Sequence, residues 1–145
     1  MITGDDFIQW ASKWVVNPSA GEVAWRTATS RAYYGAYHMA RSLLCDSMGI
    51  PDCTSNDNSH HYVQHALINS KNTDASKAGS VLGTLRENRN KADYEIGRAS
   101  AGKQAAAMES YKLADQVRDL LKQCDATAQA QMKPHILHWK QVNQK

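Results

Sequence analysis

The sequence predicts an all-α protein, folded as an antiparallel, up-and-down bundle of about five helices. Apolar residues recur at spacings of three and four along most of the 145 residues, and alternating strand patterns are scarce. The breaks between these stretches are short and polar, which favours antiparallel neighbours. Hydrophobic residues make up 42% of the chain, enough to build a core and too many for a disordered protein.

The first helix is predicted over about residues 5–16, because its apolar residues form one stripe. These are Phe7, Ile8, Ala11, Trp14 and Val15. It ends at Asn17-Pro18, since the residue before a proline disfavours the helical conformation. The second helix starts at a capping box formed by Ser19 and Glu22. No helix breaker follows until Gly49, which predicts a helix of about 28 residues.

Turn residues over 50–58 predict a loop, after which Ser59 caps a third helix. The inward-facing residues of that helix are Val63, Ala66 and Leu67. A polar break covers 69–75, and helix four follows over about 76–96, with Gly97 just beyond its C-terminal cap. Its predicted core positions are Val81, Leu82, Leu85, Ala92 and Ile96.

Ser100 is predicted to cap a fifth helix over about residues 101–124. Its apolar positions are Leu113, Val117, Leu120, Leu121 and Cys124. The bundle domain is therefore residues 1–125, and residues 126–145 form a basic C-terminal tail or a short extra helix. Of the chain's 17 basic residues, only Lys133, Lys140 and Lys145 follow Asp125, so the tail carries the whole net charge of +3. A solvated terminus is favoured over contact with an acidic partner or RNA.

The sequence also bears on the cellular compartment. No apolar run is long enough for a transmembrane helix. The first ten residues lack the basic and apolar regions of a signal peptide, so a cytoplasmic protein is expected. The three cysteines, Cys45, Cys53 and Cys124, form no Cys-x-x-Cys pair, and reduced thiols are expected.

Helix four carries the densest polar cluster. At 100° per residue, Arg86, Asn90 and Asp93 share one face, and Arg89 lies beside them. Arginine binds phosphate through two parallel hydrogen bonds, so this face is a candidate phosphate-binding surface. Arg89 and Asp93 are also spaced for an ordinary ion pair, and spacing alone favours a salt-bridged helix surface.

Helix two carries a second stripe that is both polar and aromatic. Its members are Arg31, Tyr34, His38 and Arg41. The simpler interpretation is that the tyrosines of this helix belong to the core and that His38 is a buried, hydrogen-bonded histidine. His61 and His65 are spaced to share a metal ion, but no nearby carboxylate or thiolate completes a ligand set, and no metal site is expected.

Two segments resemble the HEPN-domain family in its small prokaryotic branch. The segment from Ser30 to Leu44, which contains Ser-Arg-Ala-Tyr-Tyr-Gly-Ala-Tyr-His, is similar to the family's long second helix. The segment from Leu85 to Tyr94 is similar to its Leu-x3-Arg-x2-Ala-Asp-Tyr pattern. Ser59-His60-His61-Tyr-Val and the last helix also resemble the corresponding family segments. The resemblance covers about residues 5–124 in the same order.

The resemblance implies a homodimeric helical bundle, with helix four near the dimer interface. Many members of the family are metal-independent ribonucleases of toxin–antitoxin or phage-defence systems, often paired with a nucleotidyltransferase antitoxin. Their nuclease motif is an arginine, a polar residue and, after three to five further residues, a histidine. Arg89-Asn90 matches its first half, but positions 94–96 hold Tyr94, Glu95 and Ile96 instead of histidine.

The missing histidine leaves two functions open, because cleaving RNA without metal needs a group that moves a proton from the 2′-hydroxyl. Asp93 would need a raised pKa for that role, Tyr94 a lowered one, and His38 a position in the same cleft. The favoured function is therefore binding of RNA, a nucleotide or a partner protein in the polar cleft. The candidate ligand-binding residues are Arg86, Arg31, Tyr34 and His38.

The alternative function is a metal-independent ribonuclease toxin with an altered motif. Its candidate catalytic residues are Arg89, Asn90, Asp93 and Tyr94. Whether the protein is an enzyme stays open, and a purely structural dimerising bundle is the weakest of the hypotheses. No cofactor and no membrane association are expected.

Overall fold

The computed structural model describes residues 1–51 and 59–143, and these residues form six α-helices and no strand. The helices are α1 (Gly4–Val15), α2 (Glu22–Ser42), α3 (Ser59–Ile68), α4 (Thr73–Tyr94), α5 (Gln104–Lys122) and α6 (Ala126–Asn143). A π-helical turn, Leu43–Ser47, continues α2, and a 3-10 turn, Ala99–Gly102, precedes α5. The all-α class is confirmed. The bundle was predicted to have about five helices, and the sixth, α6, lies in the segment for which a tail or a short extra helix was predicted.

The core is built around α2, which packs against α1, α4 and α5. Small residues dominate its buried positions, among them Ala28, Ala32, Ala36 and Ala40, so neighbouring helices approach it closely. A Cβ atom added to Gly35 would lie only 2.6 Å from Cγ1 of Ile8, which shows how tightly α1 sits on α2. α3 packs on α4, and α6 in turn packs on α3.

Several helices begin differently from the prediction. The Ser19–Glu22 capping box does not form: α2 begins after Gly21, and the Glu22 carboxylate instead accepts a hydrogen bond from Arg26 at 2.9 Å. A capping box does form at α1, between Thr3 and Asp6. Ser59 is the first residue of α3, where its hydroxyl oxygen accepts a hydrogen bond from Tyr37 at 3.0 Å.

α4 begins three residues before its predicted start, because the side chain of Asn72 accepts the Ala75 N–H and caps it. It ends at Tyr94, so Ile96 lies outside the helix and is 78% exposed, not in the core as predicted. Gly97 has no positive φ and is not the residue after a helix cap. Ser100 lies within the 3-10 turn, and α5 starts after Lys103 without a side-chain cap.

The end of α4 is held by the side chain of Arg26 on α2. Its guanidinium donates to the backbone oxygens of Ala92 at 2.9 Å and Arg98 at 2.8 Å, and to three further carbonyls at 3.1–3.3 Å. The oxygens of Lys91, Glu95 and Arg98 also accept backbone N–H groups. A cation at this end adds a charged donor to each carbonyl and complements the helix dipole. Arg26 thus ties α2 to the end of α4 and to the segment that follows it.

The C-terminal segment is not the solvated terminus that was favoured. Residues 126–143 form the full-length helix α6, and Met132 and Ile136 are buried. Lys140 is also buried, and its ammonium donates to the backbone oxygen of Pro51 at 2.9 Å. Residues 52–58, most of the predicted loop, and residues 144–145 lie outside the described residues.

The expectation of three reduced thiols is wrong, because one of the described cysteines is in a disulfide. Cys45 is disulfide-bonded, Cys124 is free and buried, and Cys53 lies outside the described residues. Because disulfides are typical of oxidising compartments, this bond weighs against the predicted cytoplasmic location. Within residues 1–51 and 59–143, no helix is long and apolar enough to span a membrane.

Candidate functional site

The candidate site lies where α2 faces the C-terminal half of α4, beside the start of α3. Five side chains form what we call the tyrosine–arginine cluster: Tyr33, Tyr34, His60, Arg89 and Tyr94. Tyr33 and Tyr34 come from α2, His60 from α3, and Arg89 and Tyr94 from α4. Three helices that are separate in sequence therefore supply one surface.

Arg89 is at the centre of this cluster and is only 8% exposed. Its guanidinium carbon lies 5.3–5.6 Å from the ring centres of Tyr33, Tyr34 and Tyr94, within the range of cation–π attraction. It donates one hydrogen bond, from a terminal nitrogen to the Tyr94 hydroxyl at 3.3 Å. Its Nε is buried and has no partner in the described part of the chain.

One acidic side chain lies beside Arg89. A carboxylate oxygen of Asp93 lies 3.9 Å from the Arg89 guanidinium, a long ion pair, and accepts a hydrogen bond from Ser30 at 3.1 Å. Asp93 is partly exposed, so water weakens this attraction. The positive charge of Arg89 is therefore buried with incomplete compensation, an arrangement that costs free energy unless an anion supplies the missing partners.

His60 supplies an imidazole that the sequence motif lacks. Its ring stacks on Tyr37 with ring centres 4.3 Å apart, and its Nδ1 lies 2.5 Å from the Tyr33 hydroxyl. Two tautomers satisfy this contact. When Tyr33 donates to Nδ1, the imidazole proton is on Nε2, and when Nδ1 donates to Tyr33, Nε2 is a free acceptor.

The surroundings of His60 and Tyr33 favour the uncharged form of both side chains at neutral pH. Burial lowers the pKa of His60, and the charges of Arg86, Arg89 and His38 lower it further, so its neutral form is favoured. Burial raises the pKa of Tyr33 above its usual value, although the two arginines oppose that shift. Tyr33 therefore stays a protonated phenol that can donate a hydrogen bond.

The structure brings together only some of the residues proposed from the sequence. Arg89, Asp93, Tyr94 and Tyr34 meet as described. Arg86 is near enough for its charge to act on the pKa of Tyr33 and on that of His60. Asn90 is exposed on the helix surface next to Arg89.

Arg31 and His38 lie at the edge, toward α1. Arg31 packs over the ring of Phe7 at 5.4 Å, and His38 contacts Phe7, Tyr34 and Tyr37 with ring centres 5.2–6.4 Å apart. His38 is exposed, contrary to the interpretation of a buried histidine. The residue as a whole is exposed, but partial desolvation of its ring lowers the pKa of His38, and the charge of Arg41 lowers it further.

The sequence reasoning missed the site roles of His60, Tyr33 and Ser30. Ser30 and Tyr33 each lie four residues before a tyrosine of α2, Tyr34 and Tyr37, and this helical spacing was a usable signal. His60 lies in the segment Ser59-His60-His61-Tyr-Val, but no sequence spacing links it to α2, because the contact between α3 and α2 depends on tertiary packing.

Two histidines of α3, His61 and His65, have the spacing of metal ligands. The rings of His61 and His65 lie 4.1 Å apart, centre to centre. Among residues 1–51 and 59–143, no group of three or more His, Cys, Asp and Glu side chains is arranged to hold a metal ion.

Comparisons with known proteins supply no further guide to this site. No family model matches the chain, and neither the curated proteins nor the solved structures include a significant match. Any functional conclusion therefore depends on the geometry of the residues.

Proposed function

We propose that this protein binds the phosphodiester backbone of RNA at the tyrosine–arginine cluster. The observation that carries the proposal is Arg89, a nearly buried guanidinium held by three tyrosine rings while its hydrogen-bonding capacity is mostly unused. Structural arginines in proteins find carbonyl or carboxylate partners for their donors. A phosphate oxygen is a suitable missing partner, because guanidinium groups bind phosphate strongly.

The surroundings of Arg89 suit RNA. Tyr94 is 72% exposed and offers a ring on which an unpaired base can stack. Arg86 adds a second positive charge one helical turn before Arg89. His60, with its proton on Nε2, adds a neutral hydrogen-bond donor beside the arginines.

RNA binding is tested with labelled single-stranded RNA and transfer RNA, measured by fluorescence anisotropy. Arg89→Met should weaken binding about tenfold or more, the loss expected for one charged hydrogen bond to phosphate. Arg98→Met is the matched control. It removes the same charge from a half-exposed side chain that pairs with Glu95. Equal losses in both variants, or none in Arg89→Met, would contradict the proposal.

A metal-independent ribonuclease is the second candidate, and the position of His60 is the observation that favours it. In the tautomer whose Nδ1 donates to Tyr33, the free Nε2 can take the proton from a 2′-hydroxyl while Arg89 stabilises the charged phosphorane. His60 would then perform the role of the motif histidine that is missing after Arg89.

Cleavage of cellular RNA in the presence of EDTA distinguishes the two candidates. If the protein is a ribonuclease, His60→Gln and Arg89→Met each abolish cleavage, whereas His135→Gln, at an exposed position on α6, does not. If the protein only binds RNA, the wild type leaves RNA intact and His60→Gln weakens binding only modestly.

We infer a HEPN-like homodimer with α4 near its interface, acting in a toxin–antitoxin or phage-defence system, where a nucleotidyltransferase is a possible partner class. The support is the sequence resemblance and the two exposed apolar side chains beside the site, Tyr94 and Ile96. Light scattering at micromolar concentration should give twice the mass of 16.1 kDa, and a monomer would contradict a shared cleft. The cytoplasmic location stays a prediction, which cell fractionation tests.

A further inference from the structure

A groove between α3 and α6 lies next to the tyrosine–arginine cluster. Its volume is about 700 Å³, within the usual range for small-molecule sites. The residues that line it are His61, Tyr62, His65, Arg86, Trp139, Lys140 and Asn143. The proposed RNA site does not use this groove, except that Arg86 borders both.

The lining of the groove combines positive charge with aromatic surface. Arg86 and Lys140 are cations, the two histidines add imidazoles, and none of the lining residues among 1–51 and 59–143 carries a carboxylate. Tyr62 and Trp139 form an aromatic wall, with ring centres 5.6 Å apart. Cations attract phosphate, and an aromatic wall stacks a nucleobase. An amide such as that of Asn143 can hydrogen-bond a base edge.

The histidines of α3 belong to two different surfaces, the cluster and the groove. Successive helical residues point about 100° apart. His60 accordingly stacks on Tyr37 of α2, while His61 and His65 line the groove. Arg86 lines the groove and lies on α4 one turn before Arg89 of the cluster, so it borders both surfaces.

We propose that the groove binds one nucleotide, with its base against Trp139 and its phosphate at Arg86. That nucleotide is either a free mononucleotide or the unit of an RNA strand next to the phosphate held by Arg89. The inference shares only Arg86 with the proposed RNA-binding function, so each can fail without the other.

The test follows the tryptophan indole N–H signals by NMR while ligand is added to the full chain. The ligands are AMP, adenosine, ribose 5-phosphate and a five-nucleotide single-stranded RNA. AMP or the RNA should shift the signal of Trp139 and leave that of Trp10, on α1, unchanged. By titration calorimetry, Trp139→Leu should weaken binding about tenfold, and the matched Trp10→Leu should not.

Each outcome bears on the inference. If the Trp139 signal shifts with the RNA but not with AMP, the ligand of the groove is one nucleotide of an RNA strand. If it shifts with both, the groove also binds a free mononucleotide. Equal binding of ribose 5-phosphate and AMP would overturn base recognition, and equal binding of adenosine and AMP would overturn phosphate recognition at Arg86. No shift of Trp139 in the folded wild type overturns the inference, while loss of RNA binding in Arg89→Met would still support the proposed function.

Discussion

Two largely buried arginines on adjacent helices, Arg26 and Arg89, show how the same side chain is used in different ways. Arg26 donates to five backbone oxygens at the end of α4 and to Glu22. Arg89 has one hydrogen bond to a phenol, one long ion pair and an Nε without a partner in the described chain. Both are about nine-tenths buried, so burial does not distinguish them.

The difference lies in whether the protein itself satisfies the charge. Arg26 joins two helices and needs nothing further, which is the property of a structural residue. Arg89 lies over three tyrosine rings, and ring faces do not accept N–H groups as carbonyls do. A buried charge with unused donors is the property expected of a binding residue, whose partner arrives with the ligand.

The largest expected effect comes from removing the structural arginine. Arg26→Ala should lower the free energy of unfolding by about 3 kcal/mol, because several carbonyls lose a charged donor at once. Urea denaturation measures the loss. Arg98→Ala, which removes a half-exposed arginine, should cost no more than about 0.5 kcal/mol. A small effect of Arg26→Ala would show that water replaces the guanidinium at the helix end.

A smaller loss of stability is expected when the hydrogen bond between Tyr33 and His60 is removed. Tyr33→Phe keeps the ring against Arg89 and removes only the hydroxyl, so it should cost about 1 kcal/mol. Tyr111→Phe, on α5, is a matched control. NMR of the His60 ring should show a changed tautomer equilibrium in Tyr33→Phe alone. An unchanged His60 spectrum would mean that Tyr33 does not orient the imidazole.

Replacing the binding arginine should change stability least among the buried substitutions. Arg89→Met keeps much of the side-chain volume and gives up three ring contacts, but it also removes a poorly compensated buried charge. These changes oppose each other, and the free energy of unfolding should stay within about 1 kcal/mol of the wild type. A loss as large as that of Arg26→Ala would make Arg89 a structural residue.

The smallest expected effect is the pH dependence of the free energy of unfolding that His60 causes. Burial lowers its pKa in the folded protein, and the nearby Arg86, Arg89 and His38 charges add to this, whereas the unfolded chain has the ordinary value of 6.5. The unfolded state therefore binds more protons as the pH falls below that value, and stability decreases. His60→Gln should flatten the profile relative to His135→Gln. In Arg86→Gln, NMR should show a higher pKa for His60, because a repelling charge is gone.

The fold was largely predictable because apolar periodicity is a local property. The stripes of α1 and α5 and the buried positions Val63, Ala66 and Leu67 of α3 needed only helical spacing. Helix ends were less predictable, since Glu22 pairs with Arg26 instead of capping α2 and Asn72 starts α4 early. Several side chains can compete for the same backbone groups, and the sequence does not rank them.

By itself, the sequence determined the all-α class, most of the core and the presence of Arg89 and Asp93 one turn apart on α4. Those features depend on spacing within single helices. Only the tertiary structure decided that His60 meets Tyr33, that Arg26 and not Arg89 is fully satisfied, and that α6 closes a groove against α3. These contacts join residues distant along the chain, and their partners depend on how the helices pack, which no local pattern specifies.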